Sequence, residues 1–172
     1  MQPDLKLTPI EIYTDGACTG NPGPGGYGVI ILQNGEKKEL SGGYRLTTNN
    51  RMELMAAIEG LKSLKYSSRV RLFTDSKYIS DAINLGWVDT WRAKGWRRTG
   101  KGKLLNPDLW RELVELLDQH QVELIWVKGH AGHPQNERCD RLAVQAAQQK
   151  NLLIDSGYEK SQADNQKQPG LF

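Results

Sequence analysis

Four carboxylates in four separate segments could do chemistry together. Asp15 lies in YTDGACTGNPG, Glu53 in NNRMEL, Asp75 in LFTDSKY and Asp140 in NERCDRLA. Each stands at the edge of a regularly patterned run, from which a side chain can be aimed at a shared point. Oxygen donors without an imidazole or thiolate majority form the donor set that Mg²⁺ or Mn²⁺ selects. Two such ions about 4 Å apart can activate a water and stabilise a leaving oxygen in phosphodiester cleavage. Taken singly, each acid has an ordinary explanation. Asp75 precedes a helix, where Asp is a common N-cap. Asn50 and Glu53 are spaced like a capping box, Asp15 could serve a glycine-rich turn, and Asp140 could be a surface acid. Glu53 also lies four residues before Ala57 and eight before Leu61, on the stripe that faces inward. His130 and His133, in WVKGHAGHPQNE, have too few nitrogen or sulfur neighbours for a zinc site. Imidazole titrates near neutral pH, so His130, directly after Gly129, is the candidate proton shuttle. TDGACTGNPGPGG lacks the Lys-Ser/Thr of a P-loop, and its glycines are expected to form a turn that lets backbone approach a substrate.

The elements that must position these residues follow from periodicity. IEIYTD alternates and predicts a strand ending in the glycine-rich loop, with Asp15 and Asp75 each closing an apolar strand. YGVIILQ predicts a second strand, Asn34-Gly35 a hairpin turn, and KKELSGGYRL a third strand, together an antiparallel meander. Residues 50–65 have helical spacing, with Leu54, Ala57, Ile58, Leu61 and Leu64 inward. VRLFT predicts a strand, SKYISDAINL a helix closed by Gly86, and Pro107 opens DLWRELVELLDQ as a further helix. VELIWV is the last strand and residues 135–149 an Ala-rich helix. Alternation in this second half implies parallel crossovers, so the fold class is α/β with a mixed sheet.

At 172 residues the expectation is one domain, 1–150, followed by a tail, 151–172, whose polar composition predicts disorder. No apolar run approaches a membrane span and MQPDLKLTPI has no signal-peptide layout, so no membrane association and a cytoplasmic location are expected. Cys18 and Cys139 are too few for a disulfide framework. Residues 86–103 carry six basic side chains and one acid, a net charge of +5 that leaves −2 for the rest of a chain whose formal charge is +3. A basic patch on a near-neutral body points to a polyanion held at one place.

TDGACTGNPG, TTNNRMELMA, TDSKY, the basic Trp-rich segment, NPDLW and WVKGHAGHPQNERCDRLA occur in this order from about Ile10 to Ala147. Together they resemble the bacterial type 1 ribonuclease H family. The resemblance implies a ribonuclease H-like fold, a five-stranded mixed sheet flanked by helices, and endonucleolytic hydrolysis of the RNA strand of an RNA–DNA hybrid. It implies Asp15, Glu53, Asp75 and Asp140 as ligands of two Mg²⁺, with Mn²⁺ as a substitute, and products with 5′-phosphate and 3′-hydroxyl ends. His130 would assist proton transfer or product release. Rival readings are a DNA-directed nuclease of the same fold and a non-catalytic hybrid-binding module.

The same resemblance places Cys18, Asn21, Asn49 and Asn50 along the RNA strand and minor groove, and Thr48 and Asn106, with Asn21, near a DNA phosphate. Ser76 is implied as a backbone contact. Lys77 is a departure, because bacterial relatives often carry Gln there. The basic protrusion would grip the DNA strand through Arg92, Lys94, Arg97 and Arg98, with Trp91 near the sugars and Trp87 and Trp96 partly structural. The last five residues, QPGLF, resemble a peptide that binds the bacterial sliding clamp, with Gln168 at the groove edge and Leu171 and Phe172 in an apolar pocket. Nothing in the sequence demands more than a monomer.

Overall fold

The computed structural model describes residues 8–96 and 104–166. Five strands form one sheet in the order β3-β2-β1-β4-β5. β1 (Ile10–Cys18), β2 (Gly23–Gln33) and β3 (Glu36–Thr47) make the antiparallel meander. β4 (Arg69–Thr74) and β5 (Gln121–Trp126) add in parallel beyond β1. The helices are α1 (Asn49–Lys62), α2 (Lys77–Asn84), α3 (Trp87–Ala93), α4 (Pro107–Gln119), α5 (Pro134–Ala147) and α6 (Ser156–Gln166). The mixed sheet flanked by helices is the expected architecture.

The core lies between the sheet, α1 and α4. Ile10, Ile12, Val29 and Ile31 face Leu54, Ala57, Ile58 and Leu61, and behind them stand Trp110 and Leu113. α1 is covered on both sides, by β1 and β2 and by α4, which explains its nearly continuous burial. α5 covers the opposite face of the meander. That helix sits unusually close to the sheet because glycine lies beneath it: a Cβ at Gly28 would collide with the Cys139 carbonyl. Gly16 does the same for α1, since a Cβ there would stand 2.5 Å from the Glu53 nitrogen. Two glycines of the meander thus set the depth of the two helices that carry Glu53 and Asp140.

Three expectations are corrected. β1 does not end at Asp15: it continues to Cys18, paired with β2, and only residues 19–22 make the turn. What ends near Asp15 is the parallel pairing with β4, whose last registered pair is Tyr13 with Phe73. The pattern IEIYTD ends where apolar alternation ends, but small residues continue the ladder because only backbone is needed for it.

The predicted Asn50–Glu53 capping box is also absent. Thr48 is the N-cap, accepting from the Arg51 N–H at 3.2 Å, and Asn50 already lies inside α1.

The disordered tail is corrected as well for residues 151–166. Leu153 bridges Tyr44 of β3, with backbone hydrogen bonds from Arg45 and to Gly43, and α6 follows. Asp155 is buried and accepts from Arg51 at 2.7 and 2.9 Å and from Thr47 at 2.7 Å. The buried Asp155–Arg51 pair, the Arg45–Glu159 pair, the Leu153 backbone bonds and the buried Tyr158 hold a segment whose composition is otherwise that of a solvated tail.

Candidate active site

The β1–β4 register places Asp15 two residues beyond Tyr13 and Asp75 two residues beyond Phe73, so the two acids stand level on adjacent parallel strands. Beneath them the Tyr13 and Phe73 rings stack at 4.4 Å, on the same strand faces two residues back. α1 brings Glu53 to the same point through its close approach at Gly16. Oxygens of Asp15, Glu53 and Asp75 all lie within 4.8 Å of one another. Asp140, on α5, lines the same cavity of about 490 Å³, together with Cys18, Asn49, Asn50, Ser76, Lys77 and His130. It is not part of the compact group of three, but its charge acts on Asp15.

The capping explanations for Glu53 and Asp75 fail because neighbours do that work. Thr48 caps α1, and Ser76 caps α2 by accepting from the Ile79 N–H at 3.2 Å. Both carboxylates are left for the cavity. Among the described residues, Glu53 Oε2 is the one buried side-chain oxygen or nitrogen without a hydrogen-bond partner. Burial, with the charges of Asp15 and Asp75, pushes Glu53 well above the usual carboxylate range. Burial and the Asp75 charge raise Asp15 to about 8, and Asp140 adds to this while the Gly16 N–H opposes it. Such a cluster keeps protons or takes a cation, since bare carboxylates repel at this spacing. A divalent cation therefore fits: it would meet the orphaned Glu53 oxygen with hard oxygen donors.

Around the cluster the predicted contact residues divide into two groups. Asn21 accepts from the Asn49 N–H at 3.1 Å, tying the turn to the first residue of α1. Cys18 Sγ lies 3.4 Å from the Gly23 and Thr47 carbonyls as a free thiol. A second cavity, of about 630 Å³, gathers Asn21, Thr48, Asn50 and Asn106 with residues of α6. Asn106 holds a left-handed backbone, accepts from Arg51 and donates to the Tyr78 hydroxyl. His130, also left-handed, stands exposed at the cavity mouth, and a Cβ at Gly129 would lie 2.8 Å from Asp75 Oδ2 and push that carboxylate aside. His133 is the residue before α5 and does not line the carboxylate cavity.

The Trp-rich segment is only partly as expected. Trp91 packs edge-on against the buried Trp110 at 5.5 Å, whereas Trp87 is 44% exposed. Trp91 thus anchors α3 to the body, and Trp87 offers the freer ring. Trp96 donates its backbone N–H to Trp91 and packs against the core. Arg92 pairs with Asp118 at 2.5 Å, and Lys94 is exposed. Arg97 and Arg98, and the Gln168, Leu171 and Phe172 of the terminus, lie outside the described residues.

Two residues escaped the sequence reading. Arg51, two positions before Glu53, is buried and ties α1 to Asp108 and Asp155. An arginine on the inward stripe of an apolar helix was the available signal. Trp126 donates its indole N–H to the Asp75 carbonyl at 3.1 Å, and the Lys77 ammonium sits 4.0 Å from its ring centroid. Nothing in VELIWV distinguished that ring from an ordinary strand aromatic.

The profile of the family described as RNase H matches residues 8–148. The chain is 60% identical over 154 residues to Ribonuclease H of Trichodesmium erythraeum, covering 90% of this chain and 98% of that one. Among solved structures it is similar to LC9-RNase H1, a type 1 RNase H with the type 2 active-site motif, with a TM-score of 0.73 and 40% identity over 91% of this chain and 82% of that one. It is also similar to LC11-RNase H1 in complex with RNA/DNA hybrid, with a TM-score of 0.60 and 26% identity over 80% of this chain and 96% of that one. Sequence, sheet order and acidic cavity agree, and the chain belongs to the RNase H family, in its bacterial type 1 branch, as a nuclease hydrolase.

Proposed function

We propose that the chain hydrolyses the RNA strand of RNA–DNA hybrids, internally, with two divalent ions held by Asp15, Glu53, Asp75 and Asp140. The observation that carries this reading is a buried Glu53 with one unpartnered oxygen, in a group in which oxygens of Asp15, Glu53 and Asp75 lie within 4.8 Å of one another. When bound, Mg²⁺ would supply activation of the attacking water and stabilisation of the 3′-oxygen leaving group, giving 5′-phosphate and 3′-hydroxyl ends. The protein's own part is to gather three acids at one point, with Asp140 lining the same cavity, and to grip the duplex around them. Cys18, Asn49 and Asn50 line the cavity beside Glu53, where a 2′-hydroxyl can be read; that hydroxyl separates RNA from DNA. Asn21, Thr48 and Asn106 share the second cavity and offer uncharged donors to a DNA-strand phosphate. Arg92, Lys94, Arg97 and Arg98 would add salt-sensitive phosphate affinity, with Trp87, Trp91 and Trp96 shaping that surface. His130, at the mouth, would relay a proton or help product leave.

The LC11-RNase H1 neighbour in complex with a hybrid supports this substrate class. The test is cleavage of end-labelled hybrid, RNA duplex and DNA duplex, each with Mg²⁺ and with EDTA. Cleavage of hybrid alone, lost in EDTA, is expected; cleavage of DNA duplex would mark a DNA-directed nuclease, and tight hybrid binding without cleavage a non-catalytic module.

The reading extends to a monomer acting in the cytoplasm; no described helix is long and apolar enough to cross a membrane. It also includes a sliding-clamp contact through Gln168, Leu171 and Phe172. A labelled QPGLF peptide titrated against purified clamp should bind at tens of micromolar or tighter, and absence of binding there would remove that part.

A further inference from the structure

Trp126 ends β5, is 38% exposed, and makes two contacts at once with residues that line the carboxylate cavity, Asp75 and Lys77. Its indole N–H bonds the main-chain carbonyl of Asp75 at 3.1 Å, fixing the segment from which that carboxylate projects. Its ring face carries the Lys77 ammonium at 4.0 Å. Lys77 lines the carboxylate cavity and makes no ion pair with a described carboxylate, although four acids stand nearby. A cation over an indole face is attracted by the ring quadrupole, and indole is the strongest of the natural partners. Lys77 is the first residue of α2, where a positive charge meets the positive end of the helix, so helix stability does not account for it. A long, flexible side chain is thus held at the cavity mouth by a ring rather than neutralised by an acid.

We propose that Trp126 is a positioning residue that holds both Asp75 and Lys77, and that the Lys77 ammonium so held contacts a phosphate of the RNA strand beside the scissile one. This rests on the hybrid-nuclease reading and adds to it a fixed cation and the residue that fixes it. An ammonium acts on phosphate as a compact point charge, so the contact is sensitive to salt and tolerant of base sequence.

The test is equilibrium binding of a labelled hybrid over a range of salt concentrations in Ca²⁺, a hard cation for oxygen sites that does not demand the strict octahedral geometry of Mg²⁺. Steady-state cleavage in Mg²⁺ is measured alongside. Lys77→Gln should reduce the slope of log Kd against log salt by about one, the loss of one phosphate contact, and raise KM more than it lowers kcat. Lys77→Arg should restore the slope. Trp126→Phe keeps a ring face but loses the N–H, so the slope should persist while kcat falls about tenfold, the scale of losing a partner that orients a ligand. Trp126→Leu should lose both. An unchanged slope in Lys77→Gln, which alters an exposed side chain and leaves the core intact, would overturn the proposal. Failure of the wild-type protein to cleave hybrid in Mg²⁺ would instead strike the nuclease reading, and the binding slopes would still decide the role of Lys77.

Discussion

Arg51 and Glu53 lie two residues apart on α1, and both are buried, yet their surroundings follow opposite rules. Arg51 meets Asp155 and Asp108 through paired hydrogen bonds of 2.7–2.9 Å. Burial alone would lower its pKa, but those two acids outweigh burial and raise it. Burial would raise Asp108, and Arg51 brings it below the usual carboxylate range. Glu53 faces acids of its own sign, keeps one oxygen without a partner, and is driven upward. Buried charge that serves the fold is matched inside the chain. Buried charge left unmatched has to be matched from outside, and here the fitting group is a divalent cation.

The largest break in this comparison should come from Asp15→Asn. Above pH 8, where Asp15 is ionised in the metal-free parent, removing that charge relieves repulsion, so the metal-free variant should melt higher there, while activity in Mg²⁺ falls by more than about 100-fold, beyond the usual loss for a residue that only orients a ligand. Calorimetry and hybrid cleavage on the same preparation check both halves. Asp155→Ala should do the reverse. It takes away the buried partner of Arg51 and leaves only the half-exposed Asp108, which should cost about 3 kcal/mol of stability, measured by urea unfolding, while hybrid cleavage per folded molecule well below the melting point stays within the same order of magnitude as the parent's.

A smaller effect separates the clusters by pH. Asp15, raised to about 8 in the metal-free fold against an ordinary 3.8, holds a proton that the unfolded chain has released between those values. Its contribution to stability is therefore full below about 4 and is lost as pH rises through 8. Asp108 has the opposite sign: its lowered pKa gives stability above the ordinary carboxylate value, lost as pH falls through its folded value. Thermal melts from pH 4 to 9 should show the alkaline loss in the parent and a smaller one in Asp15→Asn, where Glu53, raised by burial and by Asp75, still titrates. Mg²⁺ competes with the proton on Asp15, so the Mg²⁺-induced rise in Tm should grow from pH 6 to 9. The smallest effect is expected for His130→Ala, which should slow turnover severalfold and leave stability unchanged, since the side chain is exposed at the cavity mouth. Single-turnover against multiple-turnover cleavage would tell proton transfer from product release.

Periodicity and turn chemistry were enough to place the meander, the two parallel strands and α1, α2, α4 and α5, because each of those elements carries its own apolar pattern. The four acids were legible as a group, though singly each had an ordinary rival; Thr48 and Ser76 remove two of those rivals by doing the capping themselves. The depth of α1 and α5 was not legible, since it depends on which glycines face which helix, and strand pairing decides that. Asp155 was missed because one buried pair orders a segment of otherwise polar composition. Trp126 was missed because a strand aromatic discloses nothing of the carbonyl or ammonium beside it.

The central claim is that the unmatched carboxylates are completed by a divalent cation used to cut RNA in a hybrid. The most direct measurement is cleavage of one labelled RNA–DNA hybrid by the parent and by Asp15→Asn over a Mg²⁺ titration. Saturable Mg²⁺-dependent cutting of the RNA strand by the parent, with the variant flat at every concentration, is the predicted result. Cutting in EDTA, or a variant that retains most of the parent's rate, would contradict it.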